Sequence, residues 1–251
     1  MMVNMDTLIP PVEMRFGDAK GEEQFKTNGE NFLREFVIRR ARLQPNQRVL
    51  DIGSGNGAKA RPLTAYLNFE GGYDGIDIVE AWVEWCCKAY QTYSNFHFHR
   101  ADLFNKHYNP TGTLVASEYQ FPFPDNTFDV IFACSVFTHM LPKDVENYFS
   151  EIFRVLTPGG RTVLTYFLLN EEAAKGIAKG ASTIDFPHIY TGGVCRLAKV
   201  DLPEWAICYE ESYIRSLYRL HHQNVVEVCY GFWCGRRDIL RCLQDTIISV
   251  K

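Results

Sequence analysis

Seven residues, Asp51-Ile-Gly-Ser-Gly-Asn-Gly57, carry the densest chemical signal in the chain. Glycines let the backbone turn tightly and let a ligand lie against it. A helix that starts after such a turn points free N–H groups at the site, which suits a carboxylate or phosphate. Gly53, Ser54 and Gly55 would then line a ligand. The spacing is Gly-x-Gly-x-Gly, not the Gly-x-Gly-x-x-Gly of dinucleotide binders. Asp51, ahead of the glycines, would repel a pyrophosphate and suits the cationic amino group of an amino-acid ligand. Asp77 ends a second apolar run, where a carboxylate can hold two ribose hydroxyls or simply cap a helix. Ile78 follows one step later and Trp82 about one turn later, where apolar faces could sandwich a base; Trp82 suits core packing equally. In Ala101-Asp-Leu103, Asp102 can accept the exocyclic amino group of adenine, and the Leu103 N–H can reach a ring nitrogen. Cys134 and Ser135 close a fourth apolar run.

Strands must position these residues. Arg48–Ile52, the run through Gly75–Ile78, Phe96–Ala101, Phe128–Cys134 and Thr162–Leu169 read as five strands. The fourth is apolar almost throughout, as in parallel sheets buried on both faces. Helices are expected from Asn28, over Ala60–Leu67, Ala81–Tyr93 and Asp144–Leu156, with Gly159 and Gly160 stopping the last. Strands alternating with helices predict an α/β fold, a doubly wound, Rossmann-like, mostly parallel seven-stranded sheet. Its last two strands, Val225–Trp233 and Asp245–Val250, follow a helix over Glu211–His222 and are expected to pair antiparallel. One domain is expected over 1–251: a cap segment (1–44), a core (45–169), an irregular insertion after strand 5 (170–208), and a final helix and strands (209–251). A long structureless segment inside a compact domain suggests a lid.

Composition narrows the function. Lys and Arg number 26 against 30 Asp and Glu, a formal net charge of -4, which disfavours a nucleic-acid binder. The N-terminus lacks a basic start followed by an apolar run, and no apolar stretch is long enough for a bilayer, so a cytoplasmic protein without membrane contact is expected. The eight cysteines lie scattered through expected core elements and read as reduced thiols. Cys229, Cys234 and Cys242 do not follow a zinc spacing, and no metal is expected.

Together these motifs resemble the class I S-adenosylmethionine-dependent methyltransferases, from about Arg48 to Leu169. The resemblance includes Phe121-Pro-Phe-Pro-Asp-Asn-Thr-Phe-Asp129 and Glu151-Ile-Phe-Arg-Val-Leu-Thr-Pro-Gly-Gly160. It implies that Asp51, Gly53 and Gly55 line the methionine part of S-adenosylmethionine, with Cys134 backbone nearby. Asp77 would hold the ribose, and Ile78, Asp102 and Leu103 would surround the adenine. The product would be S-adenosylhomocysteine. Methyl transfer from a sulfonium needs alignment of the acceptor, exclusion of water and, for some acceptors, a base. His139 is the first candidate base, equally suited to holding its loop; Tyr166 and His188 are further candidates, with Tyr190 beside the latter. Aromatic residues of the insertion (Tyr190, Trp205, with Tyr209 beyond) and N-terminal Phe16 and Phe25 would close a pocket for a small-molecule acceptor. Oxygen is the first expectation for the acceptor atom and nitrogen the second. Neither an Asp/Asn-Pro-Pro-Tyr/Phe tetrapeptide nor a Pro-Cys pair follows the fourth strand. The alternatives are methylation of tRNA or protein, a non-catalytic binding protein for the same ligand, and a nucleotide-dependent oxidoreductase. Oligomeric state is not legible.

Overall fold

The computed structural model describes residues 5–15, 21–237 and 242–251. The first helix, α1 (Glu22–Phe32), starts a turn and a half before Asn28 and runs into a wider π-helical stretch, Leu33–Arg40. Glu22 and Glu23 explain the early start: both are good helix formers, and acidic residues in the first turn favour the helix dipole. The wide turns show in the Ala41 N–H bonding back five residues to the Phe36 carbonyl at 2.8 Å. The alternation then follows: β1 (Arg48–Ile52), α2 (Ala60–Tyr66), β2 (Gly72–Asp77), α3 (Glu80–Ala89), β3 (Phe96–Arg100), β4 (Phe128–Ala133), α4 (Pro142–Val155) and β5 (Leu156–Tyr166).

After β5 come β6 (Leu168–Leu169), α5 (Glu171–Ala178), β7 (His188–Ile189), β8 (Cys195–Leu197) and β9 (Ile207–Glu210). The last elements are α6 (Glu211–Leu220), β10 (Asn224–Cys229) and β11 (Asp245–Val250). The main sheet has the order β10-β11-β5-β4-β1-β2-β3. β11 runs antiparallel to both β5 and β10, and the other pairs are parallel. The order reverses between β1 and β4, the switch point beyond which ligands of such sheets bind.

Alternation along the strands sends neighbouring side chains to opposite faces. Leu50, Ile131, Leu164 and Ile247 pack on one face with α4 and α6, around Phe149, Ile152 and Tyr218. Val49, Val130, Val163 and Ile248 pack on the other, with α2, α3 and the π-helical stretch.

Two expectations are corrected. β5 starts at Leu156, not Thr162: Gly159 takes φ 79° and, with Gly160, bonds the backbone of Lys251, so the turn lies inside the strand. The segment 170–208 is not irregular. It forms α5, capped by Asn170 Oδ1 accepting the Ala173 N–H at 2.9 Å, and a second sheet of order β6-β9-β8-β7. Strands of two to four residues are too short to show a period in the sequence.

Candidate functional site

The glycine turn leaves β1 at the switch point. Gly53, Gly55 and Gly57 have φ of 75°, 54° and 82°. The Gly53 and Ser54 N–H groups donate to the Ile76 carbonyl at 2.8 and 3.1 Å, which fixes the turn against β2. A side chain on Gly53 would also strike Val136, with its Cβ 2.4 Å from Cγ2. Asp77 clamps the turn from the other side. Its Oδ2 accepts the Gly55 N–H at 2.7 Å and its Oδ1 the Val79 N–H at 2.9 Å. Burial pushes the Asp77 carboxyl up, against these backbone donors.

Around the turn lies a cavity of about 460 Å³. Gly53, Ser54, Gly55, Asp77, Ile78, Trp82 and Leu103 are in its wall, as are Cys134, Ser135 and His139. Asp51 is not. It is fully buried beneath the turn, where Oδ2 accepts the Tyr73 hydroxyl at 2.9 Å and Oδ1 has no hydrogen bond. Burial pushes its carboxyl up to about 6. Asp51 therefore acts on the cavity through its field and not by contact.

Several wall residues were missed in the sequence, among them Lys59, Asp144 and Glu204. Lys59 follows the glycines by two residues; burial opposes its charge, but the charges of Cys134, Asp51 and Asp77 raise its pKa. Glu204 comes from the turn before β9, far along the chain. A lysine after a glycine turn was a readable signal, whereas nothing around Glu204 was.

At the nucleoside end the structure departs from expectation for Asp102 and Leu103. Asp102 accepts from Thr113 Oγ1 at 2.7 Å, Arg100 Nη2 at 2.9 Å and Asn109 Nδ2 at 3.3 Å, and lies outside the cavity wall. The β3–β4 connection folds back on Asp102, whose carbonyl accepts the Thr113 and Leu114 N–H groups, and its carboxylate ties that fold. The Leu103 side chain does line the wall, but its N–H donates to the Ala101 carbonyl at 2.7 Å. Asn105, two residues on, is the polar group in the wall there.

Beyond β4 the chain reverses at Ser135 (φ 61°). The Ser135 N–H donates to Thr165 Oγ1 at 2.8 Å, and its hydroxyl donates to Gln244 Oε1 at 3.0 Å. His139 follows on a short 3-10 turn. Its Nδ1 donates to the Glu204 carbonyl at 2.8 Å, a contact that only a protonated Nδ1 can make. The neutral ring then leaves Nε2 as acceptor, 3.5 Å from the Tyr108 hydroxyl. Burial lowers the pKa of His139, so the neutral form prevails at pH 7.

The structure does not bring Tyr166 or His188 to the cavity. Tyr166 is fully buried on the α4 face of the sheet, its hydroxyl 3.2 Å from that of Tyr218. Odd and even positions of a strand face opposite ways, and Tyr166 shares the face of Leu164. His188 is exposed on β7, at the edge of the small sheet. Of the proposed aromatic closure, Phe25 lines the wall. Tyr190, Trp205 and Tyr209 do not, and Phe16 lies outside the described residues. Among the described residues of 170–208, Glu204 alone reaches the wall.

No group of three potential metal ligands occurs among the described residues. The donor set fits an amino acid joined to a nucleoside. Ser54 Oγ is buried in the wall without a partner, Lys59 offers a cation, Asp77 a carboxylate, and Ile78, Trp82 and Leu103 apolar surface.

Residues 50–164 match the family profile described as a methyltransferase domain. This core is a class I methyltransferase domain. Such domains take S-adenosylmethionine, the ligand that the donor set fits. The chain is 33% identical to sterol 24-C-methyltransferase of Yarrowia lipolytica over 119 residues, 47% of this chain and 27% of that protein. It is 29% identical to phosphoethanolamine N-methyltransferase 3 of Arabidopsis thaliana over 153 residues, 61% of this chain and 27% of that protein. The match therefore spans little more than a quarter of these relatives. Among solved structures, Burkholderia thailandensis 1,6-didemethyltoxoflavin-N1-methyltransferase with bound S-adenosylhomocysteine aligns with a TM-score of 0.56. The alignment has 16% identity and covers 93% of this chain and 81% of the other; at that identity the likeness concerns the fold.

Proposed function

We propose that the whole chain, as one domain over 1–251, is an S-adenosylmethionine-dependent methyltransferase acting on a small-molecule acceptor at oxygen or nitrogen. The observation that carries this reading is the single cavity that joins the glycine turn and Asp77 to His139. When bound, the donor supplies a methyl group already activated on a sulfonium. Asp77 and the glycine turn hold the donor, and Lys59 attracts its carboxylate. Asp51 and Asp77 place negative charge near its cationic end. His139, fixed with Nδ1 protonated, offers Nε2 to take a proton from the acceptor. Val136, Met140 and Tyr148 help keep water from the wall.

The sequence relatives named above support a small acceptor, since their names specify sterol and phosphoethanolamine. The net charge of -4 supports the same reading over a nucleic acid. We place the enzyme in the cytoplasm; no helix among the described residues is long and apolar enough to cross a membrane.

Calorimetric titration with S-adenosylmethionine, S-adenosylhomocysteine and NADH tests the proposal. Micromolar binding of the first two, absence of NADH binding, and at least a tenfold weakening in Asp77→Ala are expected. Failure of both sulfur ligands to bind ligand-free protein overturns the reading.

A further inference from the structure

The cavity wall holds, besides Asp77, two carboxylates that the donor does not need, those of Glu204 and Asp144. Glu204 Oε2 is buried with no hydrogen-bond partner, and Glu204 Oε1 has only the Lys106 backbone N–H at 3.5 Å. Asp144 stands in the same wall at the start of α4, with Oδ2 accepting the Leu141 N–H at 3.3 Å. Burial raises the pKa of Asp144, and the negative charge of Glu204 adds to the effect. The side chain of Lys106, whose backbone N–H meets Glu204, donates to the Asp201 carbonyl instead. Two carboxylates facing one cavity, one with an orphaned oxygen, cost free energy until a cation arrives. The same wall carries the rings of Tyr108 and Tyr148, whose faces attract cations, and the soft thioether of Met140.

We propose that the acceptor is an amine that enters as its ammonium ion, held by Glu204 and Asp144 between Tyr108 and Tyr148. This deepens the proposed function and rests on it. The ammonium gives one proton to Nε2 of His139. The freed nitrogen lone pair forms the bond to the methyl carbon of S-adenosylmethionine. The carbon–sulfur bond breaks, its electron pair stays on sulfur, and S-adenosylhomocysteine results. The N-methylated product again carries a positive charge, still matched by Glu204, and the proton on His139 passes to solvent. An alcohol or phenol acceptor would leave the Glu204 carboxylate without a counter-charge.

The test uses the full chain saturated with S-adenosylhomocysteine and non-reacting probes. Choline and benzyltrimethylammonium are titrated against 3,3-dimethylbutan-1-ol, the neutral carbon analogue of choline. The expected result is binding of at least one cation, none of the alcohol, and loss of cation affinity by tenfold or more in Glu204→Gln. S-adenosylhomocysteine affinity and melting temperature should stay at parental values in that variant, which separates recognition from folding. A turnover panel of phenethylamine against phenethyl alcohol should show S-adenosylhomocysteine release with the amine alone, and a raised KM in Glu204→Gln. Absence of binding by both cations up to 10 mM, equal binding of cation and alcohol, or cation affinity unchanged in Glu204→Gln overturns the amine proposal. Loss of S-adenosylhomocysteine binding by the parent protein overturns the proposed function itself.

Discussion

His139 and Asp51 are both ionisable, both buried and both perturbed, yet their consequences differ. For His139 burial lowers the pKa below 6.5, so a proton acceptor is present at neutral pH. The acid limb of the kcat profile should therefore fall below pH 6.5, as the ring gains its proton. His139→Ala should lower turnover about 100-fold or more at saturating acceptor, the usual scale of a general base. Its affinity for S-adenosylhomocysteine should change less than threefold. Equal loss of affinity and turnover would instead mark the ring as a loop support. For Asp51 the folded value of about 6 lies above the ordinary 3.8. A raised carboxyl contributes stability below pH 4, and that contribution is lost as pH rises through 6. Asp51→Asn should thus stabilise the ligand-free protein by up to about 3 kcal/mol at pH 8 and by little at pH 4, read by urea denaturation at both values. That Gly53, Asp77 and His139 lie along one cavity was legible because strand ends follow from the apolar runs before them, whereas Asp51 lies beneath the turn and outside the wall. Asp102 misled because the sequence gives no sign that the β3–β4 connection folds back to consume its carboxylate. Tyr166 misled because it shares the core-facing side of β5 with Leu164, two residues earlier, and so points away from the cavity.

At the level of elements, α1 forms a wall of the cavity through Phe25, Asn28, Gly29 and Phe32. Gly29 is where it meets the glycine turn: a Cβ there would lie 2.0 Å from the Ala58 carbonyl oxygen. An exposed mid-helix glycine gains about 1 kcal/mol on change to alanine. Gly29→Ala should do the opposite. It should cost about 1–3 kcal/mol by pushing α1 off the turn, and weaken S-adenosylhomocysteine binding at least threefold. Thermal melting with and without that ligand checks both effects. The helices and long strands were readable from periodicity. The small sheet β6-β9-β8-β7 was not, because its strands are stabilised by long-range pairing and not by local pattern. That is why Glu204, which the turn ahead of β9 delivers to the cavity, escaped the sequence reading.

Across the whole molecule, the two sheets are joined by Asp245. Its carboxylate accepts the Leu168 N–H at 2.7 Å, the Gly231 N–H at 2.8 Å, the Trp233 indole N–H at 2.7 Å and Arg236 Nη1 at 2.9 Å. Leu168 belongs to the small sheet and Asp245 to the large one. Removing the carboxylate leaves three buried N–H donors unmatched and takes one acceptor from Arg236, which keeps Glu172 and Asn170, a loss on the order of 3–5 kcal/mol. Asp245→Ala should therefore lower the melting temperature by 10 °C or more while the melt stays a single transition. Two separate transitions would mean that the sheets are independent.

The position of β11 has a consequence during synthesis. It fills the place beside β5, yet Asp245 pairs with Tyr166, a partner made long before it. Until the chain reaches residue 250, β5 keeps one row of backbone donors and acceptors open. That strand is rich in buried apolar side chains, and an open edge of this kind templates pairing with other chains. A ribosome that stalls between Tyr166 and Asp245 releases a chain in which β5 has no neighbour on that side, so β11 protects the sheet from aggregation.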